Sequence, residues 1–266
     1  INSAKGIPTD GYLHQLFFNY PKTGGFQSLV DGAGARIEGK KAEIRRGEEI
    51  RRLEKSTDGW IVHSDKGRYT TKSLVSCIPL HVLFKALPPV PQNVSDAVQA
   101  LQYNSIHIVV LQYKKDTVGD HFALYFANPD IIFHRLSKLN FLGEAYCLGG
   151  DASTLVAEIT FRPNSYLSSL TTSQVLEAVV GDLENQGMAM RDDLLDHAIQ
   201  TREFAYVIYD INHRRNTDLV LEYLESQGIY SLGRFAEFEY VNSDQVIARA
   251  RKLAQRLNKE EQNAEA

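Results

Sequence analysis

Gly228-Ile229-Tyr230-Ser231-Leu232-Gly233-Arg234-Phe235-Ala236-Glu237-Phe238-Glu239-Tyr240-Val241-Asn242-Ser243-Asp244-Gln245-Val246-Ile247 is the stretch that decides the fold. Its opening, Gly228 to Leu232, has the length and apolar continuity of a buried strand that ends at Gly233. Gly233 allows close approach of a ligand to the backbone, and Arg234 brings a fork of donors suited to a diphosphate. Asn242, with Gln245 three residues on, caps a long helix whose apolar face is Val246, Ile247, Ala250, Leu253, Ala254 and Leu257. The free amides and positive dipole end of that helix stabilise a partial negative charge, such as a ring carbonyl oxygen. Strand, glycine, loop and helix N-terminus in this order can cradle a ligand; the same order also serves plain core packing.

Working outward, Thr217 to Ser226 reads as a helix and Arg202 to Ile208 as a strand. Thr171 with Gln174 forms a capping box ahead of Val175, Leu176, Val179, Val180 and Leu183, a helical stripe closed by Gly187. Ser105 to Gln112, His121 to Phe126, Ile131 to Leu136 and Leu155 to Phe161 read as strands of a mostly antiparallel body. They follow a stiff connector, Pro88-Pro89-Val90-Pro91, and a helix around Ser95 to Leu101. Nearer the start, Phe26, Leu29, Val30 and Ala33 have helical spacing that breaks near Gly34 and Gly39. Runs at Ala42 to Arg45, Ile50 to Glu54, Trp60 to Ser64 and Arg68 to Val75 are separated by Gly47, Thr57-Asp58-Gly59 and Asp65-Lys66-Gly67, the punctuation of a β-meander. Leu74 to Ile78 ends at Pro79, which cannot donate within a central strand. Leu74 to Ile78 and Ile229 to Leu232 are expected in one parallel sheet, which would bring Pro79 near Gly228.

Composition narrows the function. A formal charge of -4 and a pI near 6.1 leave no cationic excess for a phosphate backbone or an anionic bilayer, so nucleic-acid and membrane partners are not expected. The strongest apolar run, around Ile106 to Leu111, is strand-length and contains His107, far short of the roughly 18 residues of a membrane span. Cys77 and Cys147 have no ligand-like spacing, which points to structural thiols in a reducing, cytoplasmic setting. Ile1 is not followed by a signal-peptide pattern, and its position suggests a truncated N-terminus. Asp192, Asp193 and Asp196 have helical spacing and read as a solvated face, so no metal site is expected. His134-Arg135 and His213-Arg214-Arg215, the latter in a turn, are dense His/Arg sites that suit surface or capping roles or face a substrate anion. Gly32-Ala33-Gly34 and Leu148-Gly149-Gly150 lack the strand and third glycine of a dinucleotide fingerprint.

The Gly228 to Ile247 segment resembles the C-terminal flavin-binding signature of the FAD-dependent amine oxidase and protoporphyrinogen oxidase superfamily, including its UDP-galactopyranose mutase-like branch. Other stretches follow the family's order. Tyr20-Pro21-Lys22-Thr23-Gly24-Gly25 resembles the turn before its helix, and Ile50-x-x-Leu53 its adenine-holding step. Val75-Ser76-Cys77-Ile78-Pro79 resembles the strand that ends beside the cofactor. The resemblance implies an FAD enzyme that removes hydride from a small molecule, with Ile50, Pro79, Gly233, Arg234, Asn242, Ser243, Asp244 and Val246 contacting FAD. It places Tyr206 and Tyr240 on the substrate side, where His134 and Arg135, by their chemistry alone, are the further candidates to meet a substrate anion across the flavin. Tyr240 takes the place of the mutase tyrosine near the substrate diphosphate, with Asn242-Ser243 where mutases have Asp-Met. Ala205-Tyr206-Val207-Ile208-Tyr209 resembles the mutase Tyr-Pro-Val element with valine for proline.

The expected fold is α/β, a partial FAD-binding Rossmann-like domain (parallel sheet plus β-meander) interleaved with a mostly antiparallel α+β substrate domain. Residues 24–79 and 228–258 form the first, residues 1–23 and 80–227 the second, and residues 259–266 a disordered tail. The family's N-terminal glycine loop is absent, so the resemblance implies weak FAD retention and little activity for the chain by itself. Two other functions stay open, a flavin-dependent sugar-nucleotide isomerase and a non-catalytic module without FAD.

Overall fold

The computed structural model describes residues 19–37, 40 and 42–265. Gly24 and Gly25, both at positive φ (75° and 60°), turn the chain into α1, Gln27–Ile37. The helix runs through Gly34, its buried residue, instead of breaking there; the second expected breaker, Gly39, lies outside the described residues. Residues 42–46 form no strand, which corrects the first of the expected runs: Glu43, Arg45 and Arg46 are exposed and no ladder includes them.

The meander is present. β1 (Ile50–Ser56), β2 (Gly59–Ser64) and β3 (Arg68–Thr71) pair antiparallel in that order. Gly59 is required at the first hairpin, because its φ is 141° and a Cβ would sit 2.2 Å from the Thr71 carbonyl. At the second hairpin the Ser64 hydroxyl accepts from the Lys66 and Gly67 amides at 3.1 and 2.8 Å.

β4 (Leu74–Ser76) and β10 (Ile229–Ser231) form a two-stranded parallel sheet, so the two distant apolar runs do share a sheet. Parallel pairing sets which ends meet. The Leu74 amide donates to the Gly228 carbonyl (3.0 Å) at one end, and at the other the Leu80 amide donates to the Phe235 carbonyl (3.1 Å). Pro79 therefore lies beside the turn that follows Gly233, and Gly228 lies beside Leu74. Pro79 and Pro91 stand at the N-caps of two short helices, α2 (Leu80–Ala86) and α3 (Gln92–Ala100), with φ near the value the ring imposes.

β5 (Gln102–Tyr113), β6 (Ala123–Tyr125), β7 (Arg135–Lys138), β8 (Ser153–Phe161) and β9 (Leu194–Ile208) form one antiparallel sheet in the order β6-β7-β8-β5-β9. α4 (Thr172–Asn185) opens with the expected reciprocal capping box of Thr171 and Gln174. Val175, Val179, Val180 and Leu183 are buried against Val109, Leu111, Leu155 and Ile159, and each contributes about 1.5–3 kcal/mol of apolar transfer. Asp192 and Asp193 lie in a single 3-10 turn and Asp196 in β9, so the three do not share a helical face. α5 (His213–Ser226) begins at His213, which the sequence placed in a turn. α6 (Ser243–Glu265) continues through residues 259–265, expected as a tail.

Two apolar cores result among the described residues. One surrounds the antiparallel sheet and α4. The other joins Leu53 and Trp60 of the meander, α2, α3, α5, Ile229 and Phe238. α2, α3 and α5 thus pack with the meander and the β4–β10 pair, and Leu101 and Val207 belong to the same core.

Candidate functional site

β4 and the residues that follow it border an apolar groove of about 210 Å3, lined by Ile50, Val62, Val75, Cys77, Ile78 and, from the start of β10, Ile229 among others. Ile50, Val75 and Ile78 are 43%, 46% and 39% exposed, so apolar surface stands open to solvent here. The volume is below the roughly 300–1,000 Å3 of a complete small-molecule site, so the groove suits one ring system of a larger ligand. Gly233 lies next to the strand end at φ 104°, and a Cβ built there would meet nothing within 4 Å. Of the expected cofactor residues, Ile50 lines this groove, Pro79 and Gly233 follow its two strands, and Asn242, Ser243 and Asp244 are exposed at the start of α6. Val246 is half-buried, and its amide donates to the Asn242 carbonyl at 3.0 Å. The Asn242 amide donates to the Gln245 side chain (3.1 Å), one arm of a capping box.

The turn from Gly233 to Val241 is held by its own side chains. The Gly233 amide donates to Glu237 Oε2 (2.8 Å), and Arg249 of α6 donates to both Glu237 and Glu239 at 2.8 Å. Phe238, at φ 49° and buried, presents its carbonyl to His213 Nε2 at 2.8 Å. The Tyr240 amide donates to the Tyr209 hydroxyl at 2.6 Å. Arg234 donates through Nε and Nη2 to the Val241 carbonyl at 3.1 and 2.9 Å, with its guanidinium 4.4 Å from the Tyr240 ring centroid. In this structure the fork that suits a diphosphate closes the loop that leads into α6.

Tyr240 links the turn to the large sheet. Its ring lies 6.3 Å from that of Tyr206 on β9, with an interplanar angle of 16°. The Tyr206 hydroxyl is 3.5 Å from Glu158 Oε2 on β8, and Arg135 on β7 donates through Nη2 to Glu158 Oε1. His134 Nε2 is 3.9 Å from Glu158, and its ring meets Tyr206 edge-on at 6.5 Å. All four expected substrate-side residues therefore meet in one cluster, centred on Glu158, which the sequence did not mark. Burial lowers the His134 pKa and raises that of Tyr206, so both are neutral near pH 7. Arg135 is raised even though burial works against its charge, because Glu158 accepts from it. A wider cleft of about 620 Å3 between α2 and α3, lined by His81, Phe84, Pro88 and Val98, holds none of the expected residues. Its shape alone gives it no chemistry, whereas the Glu158 cluster has charge and donors.

Structures similar to this one share its fold. A reduced UDP-galactopyranose mutase superposes with a TM-score of 0.70 at 17% identity, over 82% of this chain and 46% of that one. A candidate protoporphyrinogen oxidase from Exiguobacterium sp. 255-15 does so with a TM-score of 0.65 at 18% identity, over 79% and 46%. A fatty acid isomerase from P. acnes that produces CLA gives 0.66 at 12% identity, over 87% and 52%. The chain thus spans about half the length of these proteins. No curated protein matches it in sequence. The model of the flavin-containing amine oxidoreductases matches residues 6–219, most of the chain, and the protein belongs to that family.

Proposed function

We propose that this chain carries the flavin-ring and substrate faces of an FAD-dependent oxidoreductase that takes hydride from a small molecule. The observation that carries the reading is the open apolar groove along β4 and the residues that follow it, on the sheet whose other strand leads through Gly233 toward the exposed N-terminus of α6. When bound there, the flavin would supply the hydride acceptor. Ile50, Val75 and Ile78 would exclude water from its ring, and the α6 amides would favour negative charge at its edge. Tyr206, Tyr240, His134 and Arg135 would hold the substrate. Isomerisation of a sugar nucleotide is the second reading, favoured by the facing Tyr206 and Tyr240 rings beside Arg234.

The test is a titration of FAD followed by quenching of its fluorescence, on the wild type and on Ile78→Asp. Saturable binding that Ile78→Asp weakens by about tenfold or more, with an unshifted melting temperature, is expected from a carboxylate placed in an apolar contact. Equal affinity in both proteins would move the ring away from this groove.

A further inference from the structure

We propose that Glu158 sets the charge of the substrate site, so that the Arg135, His134 and Tyr206 cluster takes a singly charged carboxylate in preference to a phosphate dianion. The proposal rests on the substrate-side assignment above and extends it to a chemical class. Arg135 and Glu158 are register partners on β7 and β8, so the pleat places both side chains on one face. The Glu158 side chain is 13% exposed. Water therefore screens its charge little, and the charge acts strongly on anything bound beside it.

The charges around the cluster can be counted. Arg135 contributes one positive charge and Glu158 cancels it at hydrogen-bond distance. Arg234, stacked on Tyr240, contributes a second; its donors rest on the Val241 carbonyl, which is neutral and cancels nothing. Tyr206 and Tyr125, the latter opposite Arg135 on β6, are phenols. His134, whose pKa burial lowers, adds no charge at neutral pH. Two guanidiniums and one carboxylate leave one positive charge, which a monoanion neutralises and a dianion exceeds.

A second observation points to an incoming acceptor. Arg135 Nε is buried with no hydrogen-bond partner. Guanidinium N–H groups can only donate, and a buried donor left unpaired is costly, so Nε is poised for an oxygen beyond those that Glu158 and Tyr125 bring to the guanidinium. A carboxylate offers that oxygen and matches the residual charge.

The experiment compares two probes with the same tail, octanoate and octyl phosphate, by calorimetry on the full chain. The buffer is mildly alkaline, where a phosphate monoester with a second pKa of about 6 is a dianion. The wild type is expected to bind octanoate more tightly. Glu158→Gln, which keeps the shape and removes the charge, is expected to raise octyl phosphate affinity relative to octanoate by about tenfold after solvent screening. Arg135→Gln is expected to weaken both. Tighter binding of octyl phosphate by the wild type, no binding of either probe, or an unchanged ratio in Glu158→Gln would overturn the proposal. The wild-type ratio needs no variant, so it decides even if Glu158→Gln does not fold. FAD takes no part in the assay, so this result and the flavin-binding result can fail separately.

Discussion

Replacing Arg234 by alanine separates a loop staple from a cofactor ligand. The substitution removes two hydrogen bonds to the Val241 carbonyl, at 3.1 and 2.9 Å, and the stacking of the guanidinium on Tyr240. Charge-assisted hydrogen bonds to a part-buried carbonyl are worth about 1.5–3 kcal/mol. A cation over a half-exposed tyrosine adds about 0.5–1 kcal/mol. Water can reach part of the freed carbonyl, so the expected loss is about 2–3 kcal/mol in urea unfolding without any ligand. At about 2–4 °C per kcal/mol for a large domain, the melting temperature falls by roughly 4–12 °C. Amide exchange should rise first at Val241 to Val246, where the loop enters α6. Arg234→Lys keeps the charge without the fork, and is expected to recover less than half of the loss. A ligand-free Arg234→Ala protein within about 0.5 kcal/mol of wild type would refute the staple and return Arg234 to the diphosphate.

Lys138 is 4% exposed and donates to the Asp116 carboxylate and the Gly119 carbonyl. Lys138→Met should cost about 3 kcal/mol, because Asp116 is left without its cation; a loss below about 1 kcal/mol in urea unfolding would show the pair to be dispensable. His81 and His134 have pKa values lowered by burial, so the unfolded chain binds more protons than the folded one once pH drops below about 6.5. Their stabilising contribution is full above that value and is lost as pH falls toward the folded pKa values. His81→Gln should therefore flatten the decline in stability between about pH 7 and pH 5, and an unaltered slope would contradict the assignment.

The parts of the fold carried by local chemistry were legible in the sequence. Asp58-Gly59 marks a hairpin because only glycine fits its φ, and Thr171 with Gln174 marks a helix start through a reciprocal bond three residues apart. The β4–β10 pair was legible because continuous apolar runs bounded by proline and glycine have few other uses. α2 was missed, since seven residues between Pro79 and a proline-rich connector carry too short a period. Glu158 was invisible for another reason. It is one charged residue in an alternating strand, and only the β7–β8 register sets it opposite Arg135. Likewise nothing in Gly-Arg says that the arginine will donate to a carbonyl seven residues ahead. The long α6 shows the converse error. A segment without large apolar residues was read as a tail, yet Arg256 pairs with both Glu225 and Glu260, and Tyr230 donates to Glu260, which lies within that segment.

The central claim is that the flavin ring lies in the groove along β4, and amide chemical-shift mapping during an FAD titration tests it most directly. Shifts are expected at Ile50 and Val75 to Ile78, which line one groove although far apart in sequence, and at Gly233 and Asn242 to Val246. Shifts confined to other surfaces, such as the cleft between α2 and α3, would contradict the account, as would no saturable shift at any FAD concentration.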